Sequence, residues 1–223
     1  MRVILFNTCG TDASIALADT DLPSPVIAQS TIPGRTASEA LVSVLREALS
    51  QQGWSLKQIN AIIVVAGPGS FTGVRVGLAM AKGLNEAAGI PIIAISRLAI
   101  LGAAAGKDAG RVCAFLDAGR GEFYCGRYLN DEEQGETLVS REEASRIATE
   151  ADIVIVCEET ALRGFEGVER IKKIAEPSAA AALPLAMKRL DAGLFDDPLT
   201  LDANYLRRTD AEIFAKPEAQ RAG

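Results

Sequence analysis

The stretch GPGSFTGVR, from Gly67 to Arg75, gathers residue types that cradle phosphate or carry a nucleophile. A Walker-type loop needs G-x-x-x-x-G-K-[ST], with the lysine on the terminal phosphates; here Val74 and Arg75 follow Gly73, and the pattern fails. The dinucleotide fingerprint G-x-G-x-x-G fails as well, because Gly67, Gly69 and Gly73 are spaced one residue too long. Ser70 lacks the flanking glycines of a nucleophile elbow, and no histidine exists anywhere in the 223 residues to serve as its base. That absence also removes Ser-His-Asp and Cys-His systems and every imidazole metal ligand. Cys9, Cys113, Cys125 and Cys157 stand far apart with no C-x-x-C, three of them in apolar runs, and read as buried thiols of a reducing cytoplasm. Asp12 and Asp117 are the carboxylates that a metal-nucleotide enzyme would use. Asp117 with Glu122 makes a second pair, for which turn capping is the plainer role.

What remains for the loop is to start a helix. Ser70 or Thr72 can cap it, and its free N–H groups leave weak anion binding open. The formal charge of −6 argues against a surface that grips nucleic acid by itself. The basic pair Arg207-Arg208 could touch RNA within an assembly, and otherwise reads as solvated surface. No apolar run reaches the roughly 18 residues of a membrane span, and the N-terminal MRVILFNTCG reads as a core strand rather than a leader.

The elements that must position these residues follow an α/β pattern. Strands are expected at Arg2–Thr8, Ala13–Ala18 and Val26–Thr31. A helix follows with an apolar stripe of Ala37, Ala40, Leu41, Val44, Leu45 and Ala48, a capping box at Thr36–Glu39 and a stop at Gly53. The β-branched run Asn60–Ala66 predicts a strand buried on both faces. Beyond the glycine loop come a helix over Thr72–Ala88, a strand Pro91–Ile95 and a helix from Ser96. RVCAFLDAG (111–119) then echoes RVILFNTCG (2–10), sharing Arg, Val, Phe and Gly at an offset of 109 residues. A duplicated architecture is one reading of that match, and chance is the other. The second half predicts strands at Glu122–Tyr128 and Asp152–Cys157 and helices at Ser140–Thr149 and Ser178–Asp191.

The Thr72–Ala88 helix is apolar or tiny around most of its circumference and must be covered on more than one side. Gly73, Gly77 and Ala81 recur every four residues, a flat strip that a neighbouring helix can approach closely. That neighbour is either a second subunit or another part of the same chain.

GPGSFTGVRVGLAMAKGL closely resembles the signature of the TsaB (YeaZ) family of bacterial tRNA threonylcarbamoyladenosine biosynthesis proteins. Supporting stretches are SEALVSVL, IPIIAISRLAIL, LDAGRGEFYCGRY and NYLRRTDAEI, so the likeness covers most of the chain. The resemblance implies an actin-like ASKHA (ribonuclease H-like) α/β fold with two similar lobes, 1–106 and 107–223, the tail packing back on the first. It implies a cytoplasmic, non-catalytic paralogue of TsaD that acts with TsaD and the ATPase TsaE in making N6-threonylcarbamoyladenosine beside the anticodon of tRNAs reading ANN codons. It further implies a helix-bundle interface to TsaD, which a homodimer can also use, and tRNA contact through the complex. Neither metal nor cofactor is expected on this chain alone, ATP or ADP being left open at the assembled interface. Carried onto this sequence, the interface residues are Leu41, Leu45, Gly73, Val76, Gly77, Met80 and Leu84, beside the signature loop Gly67, Pro68, Gly69, Ser70, Phe71, Thr72, Gly73 and Arg75. A bulky side chain at Gly77 is then expected to weaken the complex while leaving the monomer folded.

Three positions depart from the family pattern. Asn7 replaces the usual aspartate of the first hairpin, Ala37 replaces a common histidine, and Gly119 stands where Asp-Ala-Arg usually ends, with Arg120 one place later. The lost carboxylate at position 7 weakens the competing reading, a stand-alone ASKHA kinase or phosphohydrolase. A metallopeptidase reading fails on the missing histidines.

Overall fold

The computed structural model describes residues 1–165, 167–204 and 206. Two five-stranded sheets carry it. The first comprises β1 (Arg2–Asn7), β2 (Asp12–Asp19), β3 (Val26–Pro33), β4 (Ala61–Val65) and β5 (Ile92–Ile95), in the order β3-β2-β1-β4-β5. The second comprises β6 (Arg111–Gly119), β7 (Glu122–Leu129), β8 (Glu132–Ser140), β9 (Ile153–Val156) and β10 (Ile171–Lys173), in the order β10-β9-β6-β7-β8. Each sheet is an antiparallel three-strand meander whose first strand pairs in parallel with a fourth. The two orders are one topology written twice. The echo seen in the sequence falls on the equivalent central strands, with Val3 opposite Ala61 and Val112 opposite Ile153.

The helices are α1 (Ala37–Gln51), α2 (Phe71–Ala88), α3 (Arg97–Ala103), α4 (Arg141–Glu150), α5 (Glu159–Leu162) and α6 (Leu183–Asp191). α1 and α2 pack on the first sheet. Its other face is covered from far along the chain, by Ala179, Ala182, Leu183, Ala186 and Leu190. α3, which follows the first sheet in sequence, packs on the second through Leu98 and Leu101 against Val112, Ala114 and Ile155. Each sheet is thus covered by a helix that follows the other sheet's last strand. Beneath α4 the second sheet is filled by three rings, with Phe165 4.6 Å from Phe115 and 5.1 Å from Phe123 between centroids.

Several boundaries differ from expectation for local reasons. The capping box at Thr36–Glu39 does not form: residues 34–36 make a 3-10 turn leading straight into α1, and the Thr36 hydroxyl donates to the Pro33 carbonyl instead. The alanine-rich helix expected from Ser178 splits into a 3-10 turn at Ala179–Ala182 and α6, because Pro184 fits only the first turn of an α-helix. Strands β8 and β10 were not expected. Both are edge strands, polar and largely solvent-facing, without the apolar run that marks a buried one.

The strip Gly73-Gly77-Ala81 faces inward, toward the end of β1. A Cβ on Gly73 would collide with the Thr8 carbonyl oxygen, and one on Gly77 with the Thr8 hydroxyl. Gly83, by contrast, has nothing within 4 Å of a would-be Cβ. Gly77→Ala should therefore destabilise the fold by roughly 1–3 kcal/mol through overpacking, whereas Gly83→Ala should stabilise it by about 0.5–1 kcal/mol through helix propensity. Equilibrium urea unfolding of the two variants checks the opposite signs.

Candidate functional site

The signature loop closes on its own molecule. Ser70 caps α2, its hydroxyl accepting from Gly73 N at 3.2 Å, and the Ser70 N–H donates to the Cys9 carbonyl at 2.9 Å. The Thr8 hydroxyl donates to the Gly73 carbonyl at 2.6 Å, and Arg97 N donates to the Gly67 carbonyl at 2.6 Å. Gly67 and Pro68 are buried, while Phe71, Thr72 and Arg75 are exposed, with the Arg75 guanidinium 3.5 Å from the Phe71 ring centre. The loop's close packing therefore joins helix to hairpin.

The expected interface residues divide. Leu41 and Leu45 are 2% and 3% exposed and belong to the first core, and Gly77 is buried against Thr8. These three are covered within the chain, as is the inward side of Gly73, so the expectation that they present a docking face is corrected. Enlarging Gly77 would strike the monomer itself. Val76, Met80 and Leu84 are half-buried on the flank of α2, with Ala79 and Gly83 exposed beyond them and Val42 60% exposed on α1. A cleft of about 130 Å³ lies where the N-terminal ends of α1 and α2 meet the first hairpin, lined among others by Thr11, Ala37, Ser38, Thr72 and Gly73.

The carboxylates proposed for chemistry hold turns instead. Asp12 accepts from Gly34 N at 3.2 Å, and Asp117 accepts from Gly119 N at 2.7 Å. Asn7 is buried; its amide donates to the Pro177 carbonyl at 2.7 Å while its oxygen accepts from Cys9 N at 3.0 Å. An ionised aspartate could not make the first of these bonds. Among the described residues, no group of three or more His, Cys, Asp or Glu side chains could hold a metal ion. Of the C-terminal motif NYLRRTDAEI, Asn204 and Leu206 are described; the pair Arg207-Arg208 lies outside the described residues.

The most concentrated electrostatics lie between the lobes, on residues whose role the sequence did not disclose. Arg97, at the start of α3, is 1% exposed. Its Nη1 meets Glu158 at 3.0 Å and its Nη2 meets Glu176 at 2.7 Å, while Cys157 Sγ lies 3.7 Å from Nη2. Burial opposes the guanidinium charge, but Cys157, Glu158 and Glu176 outweigh it and raise the Arg97 pKa. The second oxygen of Glu158 accepts from Asp117 N at 2.9 Å, and Glu176 accepts from Thr11 N at 2.8 Å. A parallel clasp centres on Glu136, which accepts from Ser96 at 2.5 Å, Tyr128 at 2.9 Å and Asn204 at 2.6 Å. The only signal for Arg97 was a charge within the apolar stretch IPIIAISRLAIL.

The thiols beside this network are unreactive by environment. Burial pushes Cys9 and Cys157 up to about 11, against the pull of Arg97.

The doubled sheet topology and exchanged helices define a two-lobed, actin-like α/β protein. A family model described as TsaD, tRNA N6-adenosine threonylcarbamoyltransferase, matches residues 28–201, and the chain belongs to that family. Within it the likeness runs to TsaB (YeaZ) proteins. The tRNA threonylcarbamoyladenosine biosynthesis protein TsaB of Escherichia coli is 35% identical over 134 residues, covering 59% of this chain and 57% of the relative. That of Bacillus subtilis is 33% identical over 129 residues, covering 57% and 55%. The chain thus spans about half the length of the curated relatives it matches. The structure of YeaZ from Pseudomonas aeruginosa superposes with a TM-score of 0.72 at 25% identity, covering 91% of this chain and all of that one.

Two outcomes follow from the buried charge and the thiols. Arg97→Met leaves two carboxylates without their cation and should cost about 3–5 kcal/mol, Arg97→Lys less, as read by urea unfolding. Raised thiol pKa values mean that the unfolded chain loses these protons first, so stability should fall as pH rises from about 9 toward 11. Cys9→Ala should make that decline shallower.

Proposed function

We propose that this chain is a non-catalytic, cytoplasmic subunit of the machinery that makes N6-threonylcarbamoyladenosine in tRNAs reading ANN codons. It binds a TsaD-type transferase through α1 and α2, and a TsaE-type ATPase joins the assembly. The observation that carries the reading is the family match over residues 28–201, which takes in both helices, together with relatives named TsaB. The outward flank of these helices supports it: Val42, Val76, Ala79, Met80 and Leu84 make a partly exposed apolar surface on a rigid sheet-backed platform. The acidic chain reaches tRNA through its partners, and any ATP or ADP sits at the assembled interface rather than on this chain alone. A second copy can occupy the same flank when the partner is absent. No described helix is long and apolar enough to cross a membrane.

The test is to mix the purified chain with the TsaD-type protein of the same organism and measure mass by light scattering. A heteromeric complex is expected, together with no ATP turnover by the isolated chain. Ala79→Glu should weaken the complex about tenfold or more, a loss of about 1.4 kcal/mol, with unchanged thermal stability, while Glu150→Ala on α4 should leave it intact. Absence of any complex would overturn the reading; full-strength binding by Ala79→Glu would overturn the face.

A further inference from the structure

At the far end of α3 from Arg97, a cavity of about 480 Å³ opens between the lobes. Small-molecule sites of roughly 300–1,000 Å³ favour such boundaries between domains. The floor is apolar, supplied by Ala99 and Gly102 of α3, the Tyr128 ring of β7 and Leu185 of α6. Gly102 admits that ring, since a Cβ there would collide with it. The rim is charged, and its charges come from both lobes. Lys188 stands on α6, which covers the first sheet, and Lys107 on the link from α3 to β6. Asp131 lies in the turn between β7 and β8, with Glu133 just beyond it on β8. Among the described residues, none of these four side chains has an ion-pair or hydrogen-bond partner. The neighbouring Arg189 is matched by Asp196, so α6 neutralises one of its two cations within the chain and leaves Lys188 open. Glu133 is exposed overall, yet partial burial of its carboxyl and the nearby Glu136 raise its pKa, as expected of a carboxylate short of a cation.

We propose that this cavity binds a small apolar zwitterion, a free amino acid or a dipeptide, with its carboxylate on Lys188, its ammonium on Glu133 and its side chain on the floor of Ala99, Gly102 and Leu185. The rim carries two ammoniums and two carboxylates and is neutral as a set. A simple anion would meet both carboxylates and a simple cation both lysines, whereas a molecule bearing one charge of each sign is matched at both ends. Charge-assisted hydrogen bonds at the two ends set its orientation, and the floor adds apolar burial. Lys188 and Glu133 belong to different lobes, so the bound molecule bridges them and stabilises the whole chain by linkage. None of the lining residues lies on α1 or α2, and the site stands or falls independently of the partner proposed above.

The experiment is isothermal titration calorimetry of the full chain with L-leucine and with L-leucyl-L-leucine, paired with thermal unfolding in their presence. The controls are 4-methylpentanoate and 3-methylbutylamine, which keep the apolar group of leucine and drop one charge each. At least one zwitterion should bind saturably and raise the unfolding midpoint, the tighter of the two telling amino acid from peptide, and each control should bind about tenfold or more weaker. Lys188→Ala and Glu133→Gln change exposed side chains, so the fold should be kept while affinity falls about tenfold or more in each. Ala103→Trp, at an exposed position on the cavity wall, should block binding while the midpoint of the free chain is retained. Glu150→Ala, on α4 away from the cavity, should leave binding unchanged. No saturable binding of either zwitterion up to its solubility, a single-charge control that binds as tightly, or binding that survives both charge variants would each overturn the proposal.

Discussion

A guanidinium withdrawn from water between two carboxylates sets the geometry on which the two lobes depend. Arg97 sits where the chain leaves the first sheet, on a helix that packs on the second. A buried charge without partners is prohibitively unstable, so its position fixes the positions of Glu158 and Glu176. Those two residues follow β9 and β10, the last strands of the second sheet; Glu176 also holds Thr11 in the turn of the first hairpin, and Glu158 holds Asp117 in β6. One cation therefore ties together the first hairpin's turn, β6, the crossing helix and the second sheet's far edge. Glu136 repeats the arrangement nearby with neutral donors, joining Ser96, Tyr128 and Asn204.

The exchange of covering helices gives the clamp its leverage. If α3 packed on its own sheet, Arg97 would be a local matter within one lobe. Because α3 buries Leu98 and Leu101 in the second core, and residues 179–190 bury three alanines and two leucines in the first, sliding the lobes would break two apolar interfaces together with the ion pairs. Charge and packing constrain the same motion, and each makes the other more specific.

Much of the architecture was legible because it rests on burial. The continuous β-branched runs at 61–65 and 153–156, the helical stripe on α1 and the repeated RV…F…G pattern are direct consequences of strands and helices with covered faces. The edge strands β8 and β10 were hidden for the complementary reason: solvent covers them, so their composition matches that of a loop. The four-residue spacing of Gly73, Gly77 and Ala81 correctly signalled a close approach but left its object open. The same flat strip serves a helix of another molecule or the end of a strand in this one, and Thr8 is what fills it. The ion-pair centre was least visible, since Arg97, Glu158 and Glu176 are up to 79 residues apart and none forms a motif with its neighbours.

Asn7, where the family resemblance leads one to expect an aspartate, is placed by a demand for hydrogen bonding. The local demand at this position is for a donor. The Pro177 carbonyl lies 2.7 Å from the Asn7 amide nitrogen, and a carboxylate in that place would set acceptor against acceptor. That contact anchors the segment carrying Glu176, one residue earlier in sequence, which in turn reaches Thr11 and Arg97. Asn7 and Glu176 thus act together: the first secures the segment that delivers the second. With one cation already matched by two carboxylates, a further acidic side chain would add repulsion where the lobes meet, and the amide avoids that cost while supplying the hydrogen bond. By its contacts, Asn7 is part of what ties the first sheet to the segment that carries Glu176.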